Sequence, residues 1–188
     1  AAYIKWGIRF VEKINGMYAI ALYDKNKQKI YLIRDRVGKK PLYYFRMGED
    51  IIFSSELKPI LVCRLFKKRI REDVLSRYLY QGYINAPDSI YENVYKVAPG
   101  SIVDISLTDT KSLNMESWCY WDINSVCISK MKDPFNHYDE AKRTVKTAIV
   151  NAVKRRLIGD VPIGAFLSGG IDSTIVTAIA QEMLGTQL

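Results

Sequence analysis

At 188 residues, with 48% hydrophobic and 12% aromatic side chains, the chain is too apolar for a disordered segment and long enough for one full domain or parts of two. No apolar run approaches the ~18 residues of a membrane span, and the start AAYIKWGIRF lacks the basic-then-apolar order of a secretory signal. The formal charge is +8, and the basic excess lies in the first 81 residues: residues 1–60 hold 12 basic and 6 acidic groups and residues 61–81 hold 6 and 2, against 4 and 7 in 82–137 and 6 and 5 in 138–188. Aromatics are not interleaved with those cations at stacking intervals, so the run RLFKKRIRED reads as a solvated face and no nucleic-acid partner is expected.

Cys63, Cys119 and Cys127 form no CxxC pair and leave an odd count, which suits a reducing cytoplasm better than a disulfide framework. With His137 as the single histidine, no four-ligand zinc set exists.

In chain order, MYAIALYD (17–24), the polar turn KNKQ and KIYLIRD (29–35) predict a β-hairpin. RVGKKP turns the chain into LYYFR (42–46), and GED turns it again into IIFSS (51–55), so four short strands are expected to form one antiparallel meander. A helix capped by Ser54 or Ser55 should follow, shortened by Pro59. REDVLSRYLYQG (71–82) predicts a helix with Val74, Leu75, Tyr78 and Leu79 on one stripe and Gly82 at its end. A Pro-Gly turn at 99–100 leads into a strand, and ESWCYWD (116–122) predicts one more. Residues 122–137, rich in Asn, Ser, Asp and Pro, read as a linker.

Beyond it, YDEAKRTVKTAIVNAVKRRLIG (138–159) predicts a long helix, with Val145, Ala148, Ile149, Ala152 and Val153 on its apolar face. VPIGAFL (161–167) is a continuous apolar run, as in a strand buried on both faces of a parallel sheet. It feeds SGG and then a final helix with Ile171, Ile175, Ala178, Ile179 and Met183 at helical spacing. The expected fold class is therefore α+β followed by α/β, with a boundary near 125–135 and domains at 1–130 and 131–188.

A glycine turn between such a strand and a helix is an anion site by construction, because free N–H groups and the helix dipole meet there. Gly169 and Gly170 let backbone approach a phosphate, and Ser168, Ser173 and Thr174 add hydroxyls. Asp172 cannot itself welcome phosphate, so it should cap the helix or hold Mg²⁺. The pattern is neither GxxxxGK[ST] nor GxGxxG but SGGxDS, residues 168–173.

SGGxDS resembles the pyrophosphate loop of the ATP pyrophosphatases, which cleave ATP to AMP and pyrophosphate to adenylate a substrate. INGMYAIALYD (14–24), RDRVGKKPLYY (34–44), FSSELKPIL (53–61), APGS (98–101) and GDVPIGAFLSGGIDS (159–173) together resemble the glutamine-hydrolysing asparagine synthetases, in order and across essentially the whole chain. The resemblance implies the C-terminal portion of a class II (Ntn-type, αββα) glutaminase domain, followed by the start of an ATP-pyrophosphatase α/β domain. It implies L-glutamine, L-aspartate and ATP as substrates, Mg²⁺ as cofactor, ammonia passing through an internal tunnel to β-aspartyl-AMP, and a homodimer.

By the same resemblance, Ser168, Gly169, Gly170, Asp172 and Ser173 fall on pyrophosphate-binding positions, Leu167 borders the adenine, and Met17 and Phe166 line the ammonia tunnel. The family's nucleophile is an N-terminal Cys. Position 1 here is alanine, Cys63 lies in the apolar stretch ILVCRLF, and NHYDE around His137 reads as a helix start, so no catalytic residue is assigned. The chain is accordingly expected to be an internal slice of a longer enzyme, inactive alone. Rival readings are an amidotransferase acting on another carboxylate (a sugar acid, or a β-lactam precursor), a non-catalytic relative, and a tRNA-modifying enzyme.

Overall fold

The computed structural model describes residues 1–108 and 113–185, which divide into two compact units, Ala1–Val126 and Cys127–Leu188. The first unit opens with a short helix, α1 (Ala2–Trp6), and a 3₁₀ turn, Gly7–Glu12. Two sheets follow. The first runs β1 (Ala19–Asp24), β2 (Lys29–Arg34), β6 (Ser101–Ser106), β7 (Asn114–Cys119), and the second runs β4 (Asp50–Ser54), β3 (Tyr43–Met47), β5 (Val94–Lys96). All pairings are antiparallel.

The expected hairpin is present, with Ala19 opposite Arg34 and Asp24 opposite Lys29. The four-stranded meander is not. The free edge of β2 is taken by β6, with Leu32 opposite Val103, while β3 and β4 belong to the other sheet. The reason is the turn after β2. There the Asp35 carboxylate accepts the N–H groups of Val37, Lys39 and Lys40, and Gly38 sits at φ 66°, so the chain is wound away from the sheet edge.

Alternation along β2 and β6 sorts their side chains into two cores. Leu32, Val103 and Ile105 point to one face and join Leu42 and Val97. Tyr31, Ile33 and Ile102 point to the other and join Phe10 and Val11 of the N-terminal turn. On the second sheet, Phe45 and Val94 pack with Ile60 of α2 (Lys58–Leu61). That helix begins three residues later than a Ser54 cap predicts, because Ser54 still pairs with Tyr43 and Pro59 suits only a first turn.

Helix α3 (Glu72–Gln81) ends as expected, with Gly82 left-handed at φ 77° and its N–H on the Tyr78 carbonyl. Its apolar stripe is mostly uncovered: Val74 is buried, but Tyr78 and Leu79 are exposed. The linker reading also needs correction, since α4 occupies Ile123–Met131. Asp122 caps it, accepting from the Ser125 N–H and hydroxyl at 2.8 Å each, so Asn124 and Ser125 belong to a helix start, while residues 132–137 are loop as expected.

The second unit holds α5 (Tyr138–Lys154) and α6 (Ile171–Leu184), packed on one another. His137 is the N-cap residue of α5, without a side-chain cap bond. Of the predicted stripe on α5, Val153 is buried and Val145 is exposed. Residues 161–167 form no strand, and Phe166 is 100% exposed. A strand needs a neighbour to take its N–H and C=O groups, and none of the described residues pairs with this one. No helix among the described residues is long and apolar enough to cross a membrane.

Candidate functional site

The SGG turn adopts the geometry its sequence implies, even without a strand before it. Gly169 is left-handed at φ 82°, Gly170 is the extended N-cap residue of α6, and no side chain caps the helix. The Gly170 carbonyl accepts the Thr174 N–H at 3.0 Å, the Thr174 hydroxyl at 2.8 Å and the Ser173 hydroxyl at 3.1 Å. The hydroxyls of Ser168 and Ser173 meet at 3.0 Å across the turn. A Cβ at Gly169 would meet nothing within 4 Å, so the space beside its backbone is open. The first turn of α6 is thus without a side-chain cap and lies beside two hydroxyls, an arrangement suited to an anion.

Asp172 lies exposed in the first turn of α6 and makes no side-chain cap bond to it. Leu167 is 62% exposed at the start of the turn. Phe166 borders a cavity of about 580 Å³ between α5 and α6, lined mainly by Ile149, Val153, Ile163 and Val176. Met17, the other residue assigned to the tunnel, is 51% exposed in the first unit, beside Tyr18, Lys40 and Glu56 in a cleft of about 520 Å³.

Cys63 is half-buried and its sulfur accepts the Leu65 N–H at 3.4 Å, while Cys119 and Cys127 are exposed.

The structure adds a polar cluster that residue-by-residue reading did not single out. Asp35 is 1% exposed. Burial pushes its carboxyl up, but the N–H groups of Lys40, Lys39, Tyr18 and Val37 outweigh that and hold it below the usual range. Beside it, Arg34 donates to the carbonyls of Lys40, Val97 and Gly38 at 2.8–2.9 Å. The Tyr120 hydroxyl donates to the Arg34 carbonyl at 2.7 Å. The available signal was an Asp followed by a Gly and a Pro, the composition of a side-chain-stabilised turn.

Compared with known proteins, residues 1–121 match the glutamine amidotransferase domain and residues 144–188 match asparagine synthase. The chain belongs to the family of glutamine-hydrolysing asparagine synthetases. It is 37% identical over 182 residues to a Methanocaldococcus jannaschii protein carrying the asparagine synthetase (glutamine-hydrolysing) 2 name, covering 96% of this chain and 34% of that one. It is 34% identical over 180 residues to asparagine synthetase (glutamine-hydrolysing) 3 of Bacillus subtilis, covering 95% and 28%. Amidase chry2 of Gibberella zeae is 30% identical over 190 residues, 100% of this chain and 27% of the relative. The synthetase-family chain thus spans between 27% and 34% of the length of these relatives.

Proposed function

We propose that the protein carrying this chain converts L-aspartate, ATP and L-glutamine to L-asparagine, AMP, pyrophosphate and L-glutamate. Residues 1–130 belong to its glutaminase part, of the Ntn-type αββα plan, and residues 131–188 to its synthetase part. A carboxylate resists ammonia because its oxygen is a poor leaving group. Attack of the aspartate β-carboxylate on the α-phosphorus of ATP expels pyrophosphate and leaves β-aspartyl-AMP. Ammonia released by glutamine hydrolysis then attacks the acyl carbon and AMP departs.

The observation that carries this reading is the open SGGxDS turn at the head of α6, on one chain with a glutamine amidotransferase match. Its donor set fits a pyrophosphate. The free N–H groups of the first turn, the Gly169 and Gly170 backbone and the hydroxyls of Ser168 and Ser173 would hold the phosphate oxygens. Asp172, free of any capping role, would hold Mg²⁺, which supplies charge neutralisation on the departing pyrophosphate. Leu167 would border the adenine. Met17 and Phe166 would line the ammonia route.

The match to a fungal amidase over the whole chain supports a second reading, in which the acceptor is another carboxylate. One assay separates them: pyrophosphate release by the protein as its gene encodes it, with ATP, Mg²⁺ and glutamine, in the presence and absence of aspartate. Aspartate-dependent release with stoichiometric asparagine is expected. Release indifferent to aspartate would overturn the asparagine reading, and no release with any carboxylate would overturn both.

A further inference from the structure

The cleft of about 520 Å³ in the first unit is lined by Met17 and Tyr18 from the entry of β1, by Lys40 and Pro41 from the turn after β2, and by Glu56. One buried group holds both borders. Asp35 Oδ2 accepts the Tyr18 N–H at 3.4 Å and the Lys40 N–H at 2.9 Å, while its Oδ1 accepts those of Val37 at 3.2 Å and Lys39 at 2.9 Å. The Asp35 N–H donates to the Tyr18 carbonyl at 3.0 Å, and the Asp35 carbonyl accepts from Gly38 and Gly100.

A buried carboxylate with four N–H donors is not what a reverse turn alone requires. Val37, Lys39 and Lys40 belong to the turn that Asp35 opens. Tyr18 does not: it lies 17 residues upstream, next to Met17. The carboxylate therefore ties the turn to the entry of β1, and of the bonds that hold the cleft borders it alone bridges the Tyr18 and Lys40 N–H groups directly.

We infer that Asp35 is a positioning residue for ammonia transfer, acting by fixing the backbone that presents Met17 opposite the Lys40 turn. The inference rests on the asparagine-synthetase reading and on Met17 bordering the ammonia route. Asp35 is too deeply enclosed to meet substrate, so its effect is on delivery and not on either chemical step. Asn at this position keeps the shape but turns its N–H₂ group toward two of the four N–H donors, those of Tyr18 and Lys40 if it takes the place of Oδ2, which forces the borders apart.

The test uses the full-length protein with Asp35→Asn and Tyr120→Phe, which removes only the hydroxyl held by the Arg34 carbonyl and Tyr18. Three quantities are read: glutamate from glutamine, asparagine from glutamine, and asparagine from added ammonium chloride. In Asp35→Asn, asparagine formed per glutamate falls about tenfold, while ammonium-driven synthesis stays within about twofold of the parent. Tyr120→Phe lowers the same ratio about threefold and decides the matter if Asp35→Asn does not fold. A purely structural role would lower all three rates together and leave the ratio at its parental value. An active parent whose folded variants keep that ratio overturns this inference alone. A parent that forms no asparagine from either donor overturns the functional reading and this inference with it.

Discussion

The hydroxyls of Tyr18 and Tyr120, 102 residues apart in the chain, meet at 2.8 Å, and Tyr120 also donates to the Arg34 carbonyl at 2.7 Å. This pair links the entry of β1 to the exit of β7. Burial first, and the bond to Tyr18 second, push the Tyr120 phenol far above the usual tyrosine range. The folded form thus favours the neutral phenol. Its contribution to stability is complete below the unfolded value of 10.0 and is lost as pH rises beyond it. Tyr120→Phe should cost about 1 kcal/mol in urea unfolding at pH 8, and the gap to the parent should narrow at pH 11. In an ultraviolet alkaline titration, the variant should lose one tyrosine from the class that ionises only on unfolding.

Asp35 has the opposite sign. Its folded carboxyl lies below the unfolded value of 3.8, so its contribution is complete above that value and is lost as pH falls through the folded one. The parent protein should therefore lose stability more steeply than Asp35→Asn on acidification below about pH 4. Denaturant midpoints of both proteins at stepped pH check this, and parallel curves would contradict it.

Gly100 has φ 61°, and a Cβ there would collide with the Trp121 carbonyl oxygen, a backbone atom that cannot swing aside. The Gly100 carbonyl also accepts the N–H groups of Tyr120 and Trp121. Gly100→Ala should destabilise by about 3 kcal/mol or more, adding a steric overlap to the left-handed strain. Thermal unfolding of the variant measures it.

At the SGG turn the strain is smaller, because a Cβ on Gly169 meets open space. Gly169→Ala should cost only about 1 kcal/mol through its φ of 82°, yet it places a methyl where a phosphate oxygen would approach. Ser173→Ala removes one hydroxyl and should weaken pyrophosphate binding about fivefold in calorimetric titration. Unchanged affinity in both variants would place the anion elsewhere.

Between α5 and α6, the Thr177 hydroxyl is buried without a hydrogen-bond partner beside an apolar cavity lined by Ile149, Val153 and Val176. Thr177→Val keeps the shape and removes the orphan group. A gain of up to about 1 kcal/mol is expected in denaturant unfolding.

Much of this protein was legible before any fold was seen. Helix α3 stops at Gly82 because only a residue free of Cβ strain adopts the left-handed cap cheaply, and the β1–β2 hairpin follows from two apolar runs around a polar turn. The SGGxDS turn was readable for the same local reason, since its glycines, hydroxyls and helix start all lie within six residues. α4 was missed because Asn, Ser and Asp serve helix caps and loops alike, and only the bonds between Asp122 and Ser125 distinguish them.

Taken alone, the amino-acid sequence determined elements whose hydrogen bonds close over a few residues: the hairpin, the helix that Gly82 ends, the glycine turn, and through its ordered motifs the family. Tertiary structure decided which strand lies beside β2, that 161–167 goes unpaired, and that Asp35 joins Tyr18 to Lys40. Periodicity says which face of a strand is apolar but not which neighbour covers it. A hydrogen bond across 17 or 102 residues leaves no local spacing to read.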